Sequence, residues 1–487
     1  MSDDLMTFGE FLRNIMKDKN ISVTKLTELT GIKSRNSIQR ILKNEVSICA
    51  IQAFKERLLK ITSLDLSPYE LQQLGQAIEV TKIGKDAFHA RKILSQLFDS
   101  PSCRINSENL TVRNPVHGKN ILLRELFASY QSFSKIRFLI FNMISLEFTN
   151  ELIHLMKNSP PGFISVSQIL YVGDNPSHNA AAFTVFFSLF NFENYQVYSI
   201  SDGDVPENQL SIIPNSVVVD KETLGTAHFT DLITLDADNR FSFIADLPDH
   251  TLYSFHSYHF EKMKIKAKSM KRTPSQSNPI DRVISICDAC LPLEKSSAKY
   301  IVKHSVSTTM IPFSILNDMV IEMNYFGRSK DDPQIRKMLE IFNERFYAMY
   351  HTKASKVNLV TKRGLLDFVT SGLMSDHFCY LRPFTKKEIK IILEFIIEQL
   401  ENNSYFKILL LKNDYAIGNI EFTYFEDRLL WVSDTCSGYR NDYYEGVLDS
   451  APILRIFDDF IKNELIQNHT LPEAESIEFL KHLISIV

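Results

Sequence analysis

The stretch from Ser22 to Lys43 limits what this chain can fold into more than any other part of it. Ser22 is suited to cap a short helix through Thr30, with Leu26 and Leu29 on its apolar side. Gly31 follows at once, where a tight turn needs a residue without a Cβ. Ser34 can then cap a third helix that turns Ile38, Ile41 and Leu42 inward. Leu5, Phe8, Leu12, Ile15 and Met16 recur at helical spacing upstream, and Ile48, Ile51, Phe54, Leu58 and Leu59 mark a fourth helix downstream. Residues 1–62 therefore read as one small all-helical unit.

The third helix leaves Lys33, Ser34, Arg35, Asn36, Ser37, Gln39, Arg40 and Lys43 on its polar side. Arginine can pair with guanine, and asparagine or glutamine with adenine, so Arg35, Asn36, Gln39 and Arg40 are candidate base readers. Lys25, Lys33, Ser34 and Lys43 suit phosphate contacts. The whole chain carries 54 Lys+Arg and 58 Asp+Glu, a formal charge of -4. Residues 1–62 hold 11 basic and 7 acidic residues, which leaves 43 and 51 elsewhere: +4 against -8. A positive unit on a negative body is the charge pattern of a tethered DNA-binding module.

The motifs Phe8-Gly9-Glu10-Phe11-Leu12-Arg13, Ile21-Ser22-Val23-Thr24-Lys25-Leu26, Gly31-Ile32 and Ile38-Gln39-Arg40-Ile41-Leu42 resemble the Cro/CI-type (lambda-repressor-like) helix-turn-helix domains. Val23 stands where that family has a glutamine, and Thr27 where it favours a small residue. The resemblance implies a DNA-binding regulator that acts as a dimer on two half-sites.

The fold class expected is α+β: an N-terminal all-α helix-turn-helix domain, then a large helical and mixed α/β regulatory region. Boundaries fall at 1–62, at 63–118 as a helical connector and loop, at 119–275 as mixed α/β, and at 276–487 as α+β. Pro101, Pro115 and Gly118 mark the first break, and Pro274, Ser275, Ser277 and Pro279 the second. A long helix is expected over 119–157, strands near 163–171, 194–200, 215–219 and 229–235, and helices near 332–350, 362–374 and 385–402. Three apolar runs, 406–412, 417–424 and 428–433, suggest an antiparallel meander before helices near 451–466 and 474–486. No repeat at solenoid periods is visible.

Catalytic signatures are absent: no phosphate-binding G-x-x-x-x-G-K-[ST], no G-x-G-x-x-G, no H-E-x-x-H and no G-x-S-x-G. The chain is read as a non-enzyme with no cofactor and no metal. Cys287 and Cys290 have metal-like spacing but no second pair, so helix packing is the favoured reading. His250, His256 and His259 sit among aromatics and read as packing. Asp331-Asp332 before Pro333 read as helix-start acids, and Tyr424, Trp431 and Tyr439 as core or pocket lining. Met1–Leu5 is acidic, and no apolar run reaches spanning length, so a cytoplasmic protein without membrane contact is expected.

The function expected is a sequence-specific, DNA-binding transcriptional regulator, acting as a homodimer on double-stranded DNA under a small-molecule or peptide effector. A protein-interaction switch and an enzyme fused to a DNA-binding domain are the alternatives.

Overall fold

The computed structural model describes residues 5–32, 34–61, 64, 66–98, 119–201, 215–224, 227–235, 241–247, 251–272, 279–322, 331–374, 382–412, 420–434 and 445–487. Its class is α+β. The chain divides into a first compact unit, Met1–Lys92 with Asn175–Ser177, and a second that takes the remainder from Ile93 to Val487.

In the first unit the regular elements among the described residues are helices: α1 (Phe8–Asp18), α2 (Val23–Thr30), α3 (Arg35–Leu42), α4 (Ile48–Leu59), α5 (Pro68–Ile83) and the start of α6 (Lys85–Phe98). Local chemistry sets their ends. Thr7 and Glu10 form a reciprocal capping box on α1, Ser67 and Glu70 another on α5, and Ser22 and Ser47 cap α2 and α4. Gly31 closes α2 at φ 66°, a conformation that costs a residue with a Cβ. Phe8, Leu12, Leu26, Ile38, Ile51, Phe54 and Leu58 share one core, joined by Leu74 and Ile78 of α5. Burying each such side chain contributes about 1.5–3 kcal/mol. Gly9 lies so close to the Leu42 carbonyl that a Cβ there would overlap it. Asn44 completes the join, accepting from the Gly9 N–H at 2.8 Å and donating to Thr7 Oγ1 at 2.9 Å.

The second unit holds two seven-stranded sheets. The first contains β1 (Lys135–Phe141), β2 (Ile164–Val172), β3 (Tyr195–Ser201), β4 (Ser216–Glu222), β5 (His228–Leu235), β6 (Phe241–Leu247) and β7 (Lys268–Ser269). The second contains β8 (Lys271–Arg272), β9 (Lys299–Lys303), β10 (Lys356–Thr361), β11 (Phe406–Leu411), β12 (Ile420–Phe425), β13 (Leu429–Asp434) and β14 (Glu445–Leu448). Read from one side, the orders are β7-β3-β2-β1-β4-β5-β6 and β11-β10-β9-β12-β13-β14-β8. In both, three strands run parallel (β1, β2, β3; β9, β10, β11), and the first of them pairs antiparallel with the next strand in the chain (β4; β12). Antiparallel hairpins complete each sheet. The unit is thus a topological duplication, six strands repeated in the same order and sense. The short segment 268–272 gives one edge strand to each sheet, β7 beside β3 and β8 beside β14.

Helices cover the sheets. The first has α7 (Lys119–Ser129), α8 (Leu146–Lys157), α9 (Pro176–Leu189) and α10 (Thr251–Lys264); the second has α11 (Pro279–Ser296), α12 (Phe313–Glu322), α13 (Pro333–His351), α14 (Lys362–Ser371) and α15 (Lys386–Asn402). The chain ends with α16 (Ala451–Asp459), a π-helical stretch over Phe460–Leu465, α17 (Ile466–His469) and α18 (Glu473–Ile486). The sheets meet through aromatic rings: Phe183 packs edge-on to Phe457 at 4.7 Å, and a Cβ at Gly446 would meet the Phe186 ring at 2.9 Å.

Two expectations are corrected here. The helix expected over 119–157 is α7, β1 and α8, because Phe138–Phe141 lie in a central strand buried on both faces and lack a period-two pattern. The meander of three runs is a hairpin only between β12 and β13; β11 pairs parallel with β10 on the far side of β9. The expected break at 99–118 lies outside the described residues.

Candidate functional site

The α2–α3 pair places the sequence-selected residues as follows. Lys25, Ser34, Arg35, Asn36, Ser37, Gln39, Arg40 and Lys43 are all exposed, and Lys33 lies outside the described residues. Asn36, Gln39, Arg40 and Lys43 follow one another at three- and four-residue steps and so share one stripe of α3. The opposite side carries buried Ile38, Ile41 and Leu42. Ser34 makes no side-chain bond to the α3 N-terminus. Arg40 Nη2 donates to the Glu45 carbonyl at 3.0 Å, which turns the guanidinium along its own chain. Lys25 stands 3.4 Å from Glu28 with both side chains more than half exposed, a pairing of little energetic weight. Two other basic residues serve the fold: Arg13 caps the end of α3 at the Leu42 carbonyl, and Arg57 reaches the Thr30 carbonyl at the end of α2.

The second unit buries ionic groups that sequence reading did not select. In the first sheet, Asp220 is fully buried and accepts from Arg137 Nη1 at 3.0 Å and from His228 Nδ1 at 2.9 Å. On the other face, Asp231 holds Lys221 at 2.8 Å and the Tyr130 hydroxyl at 2.8 Å. Arg137–Asp220 and Lys221–Asp231 are near neighbours only because β1, β4 and β5 pair in this register.

In the second sheet, Glu294 at the end of α11 is gripped by Arg345 through two parallel bonds, Nε to Oε2 at 2.9 Å and Nη2 to Oε1 at 2.8 Å, and by Lys299 at 2.5 Å. Burial alone would raise the Glu294 carboxyl, but Arg345 and Lys299 hold it down at about 2. Lys356 donates to the Glu294 and Ser297 carbonyls at 2.6 and 3.0 Å, and burial, with the charge of Lys299, pushes its pKa to about 8. Arg345 Nη1 also reaches Cys287 Sγ at 2.9 Å. Higher on the same sheet Lys303 and Glu421 form a buried pair at 3.3 Å. Lys299 is five residues from Glu294, but Arg345 and Lys356 lie 51 and 62 residues away, so no local pattern signals the cluster.

The remaining sequence candidates pack as side chains of the core or surface. His256 is buried on α10 against Phe141, its pKa lowered by burial and then by His259. Asp332 caps α13 by accepting from the Gln334 N–H at 2.8 Å. Tyr424 is buried and stacked on Tyr300, and Trp431 is half-buried. His250 and Tyr439 lie outside the described residues. Among the described residues no group of three His, Cys, Asp or Glu is placed to hold a metal ion, and no helix is long and apolar enough to cross a membrane.

No protein-family model and no curated protein matches the chain. Among solved structures it is matched to a phosphatidylserine synthase from Haemophilus influenzae Rd KW20, at 11% identity and a TM-score of 0.24, over 75% of this chain and 91% of that one. At that score the synthase lends this chain neither its fold nor its activity. The expected sequence-specific DNA-binding transcriptional regulator is not what the structural comparison returned: the match is to a phosphatidylserine synthase.

Proposed function

We propose that the first unit is a helix-turn-helix module of the Cro/CI type that docks on the phosphate backbone of duplex nucleic acid without reading its sequence. The observation carrying this reading is the exposed polar stripe of Asn36, Gln39, Arg40 and Lys43, beside Arg35, on a helix whose other side is locked in the core. Two details favour phosphate over base contact. The α3 N-terminus lacks a side-chain cap, and uncapped N–H groups at a helix start attract anions. Arg40, one of the two arginines suited to a guanine, is engaged with the Glu45 carbonyl.

Charge supports the same placement. The net of +4 on residues 1–62 against -8 on the rest confines a polyanion to the first unit. Association of two copies belongs to this reading, since it doubles the phosphate contacts.

Fluorescence anisotropy of the full chain with two unrelated duplexes tests it. Both should bind equally, and log affinity should fall by roughly 0.9 per contacted phosphate for each log unit of salt. Arg35→Ala and Lys43→Ala should weaken both duplexes alike. A lack of binding at low salt, or binding that ignores salt, overturns the reading.

A further inference from the structure

We propose that Cys287 is a peroxide-reactive thiolate, oxidised beside Arg345 and resolved by Cys290 within the same helix. The sulfur is fully buried and takes the third direction of the Arg345 fork, Nη1 to Sγ at 2.9 Å, while the other two directions hold Glu294. The surrounding cluster contains three cations, Arg345, Lys299 and Lys356, and one carboxylate, Glu294. Buried charge needs a counter-charge, and a thiolate at Cys287 supplies one.

A cavity of about 10 Å3 adjoins the guanidinium, lined by Thr308, Thr309 and Arg345 among five apolar side chains; Cys287 does not line it, and Arg345 is the residue that joins the cavity to the sulfur. That volume accepts about one water, and hydrogen peroxide is only one oxygen larger. The hydroxyls and guanidinium would orient the peroxide, and the phenyl rings exclude larger oxidants.

Atoms balance in two steps. The Cys287 sulfur attacks one peroxide oxygen, the O–O bond breaks, and hydroxide departs and is protonated by solvent; sulfur loses two electrons and peroxide gains them. The sulfenic acid then condenses with the Cys290 thiol, forming the S–S bond and breaking S–O, and the hydroxyl leaves with the Cys290 proton as water. Residues three apart on a helix have Cβ atoms about 5–6 Å apart, whereas a disulfide needs about 3.5–4.5 Å. The helix must therefore give way locally. Pro292 already deprives the Asp288 carbonyl of its helical partner one turn on.

Peptide mass mapping of the native chain under dilute hydrogen peroxide tests the proposal, with exposed Cys49 as internal reference. The peptide with Cys287 and Cys290 should lose two hydrogens about tenfold faster than Cys49 gains oxygen, and that advantage should vanish in denaturant. In Cys290→Ser the same peptide should gain one oxygen instead. Arg345→Lys should slow Cys287 by about tenfold if it folds; if it does not fold, the native comparison with Cys49 decides. Oxidation of Cys49 as fast as Cys287, or an unchanged rate in folded Arg345→Lys, overturns it.

Discussion

The two sheets of the second unit share strand order and strand sense, and one ion pair recurs between equivalent strands, Arg137–Asp220 on β1 and β4 and Lys303–Glu421 on β9 and β12, yet their other buried ionic groups do not correspond. In the first sheet, the two acids Asp220 and Asp231 sit on the strands themselves, one on each face, and each holds a cation of the same sheet. In the second sheet a further acid, Glu294, comes from a covering helix and gathers Arg345, Lys299 and Lys356 from another helix and two strands. Topology constrains backbone pairing, the apolar faces and one cross-strand ion pair; it leaves the rest of the polar interior open. A duplicated frame can thus carry one interior that only ties strands together and another that ties strands to helices and leaves a sulfur beside a guanidinium.

The largest expected effect breaks the second interior. Glu294→Ala leaves Arg345 and Lys299 uncompensated and should cost about 3–5 kcal/mol in urea unfolding. Asp231→Asn, its counterpart in the first sheet, should cost less, since an amide oxygen can still accept from Tyr130; equal costs would dissolve the contrast. Gly364→Ala comes next. A Cβ there would overlap the His304 carbonyl, so α14 must shift from β9, at about 1–3 kcal/mol.

Protons sharpen the comparison further. Glu294 is held at about 2 against an ordinary 4.5, so its stabilisation is full above 4.5 and is lost as pH falls toward 2. Lys271, at the join of the two sheets, is destabilised rather than stabilised in its charged form, but its slope has the same sign. Burial lowers it from 10.5 to about 7, so between those values the unfolded chain binds the extra proton and stability rises with pH. Lys271→Met should flatten that rise, and a slope unchanged by the substitution would deny the lysine its part. The smallest effect is at His228, a quarter exposed beside Asp220: His228→Gln should cost under about 1 kcal/mol by thermal melts.

How much of this was legible in the sequence follows from how local each signal is. The second helix of the first unit begins and ends where Ser22 and Gly31 place it, because a cap and a left-handed turn are encoded within a few residues. The strands β2 to β5 were legible as apolar runs between turn residues. Strand β1 was not, since both its faces are covered, and β9 and β10 were hidden by Lys299, Lys303 and Lys356, which look like surface residues until their partners are placed. Arg345 meets Glu294 across 51 residues and Cys287 across 58, and no spacing rule spans such distances. The exposed face of α3 was readable residue by residue, whereas the turn of Arg40 toward Glu45 depends on the fold.

The segment 268–272 has a consequence for how the molecule comes into being. Its second half, β8, is synthesised before any other strand of its sheet, yet it is held by β14, the last strand to emerge. The second sheet therefore cannot close its outer edge until residues 445–448 have left the ribosome, and contacts that distant in sequence form slowly. A chain cut before residue 445 would keep the first sheet, with β7 in place on β3, but would leave β8 as an unpaired edge open to other chains.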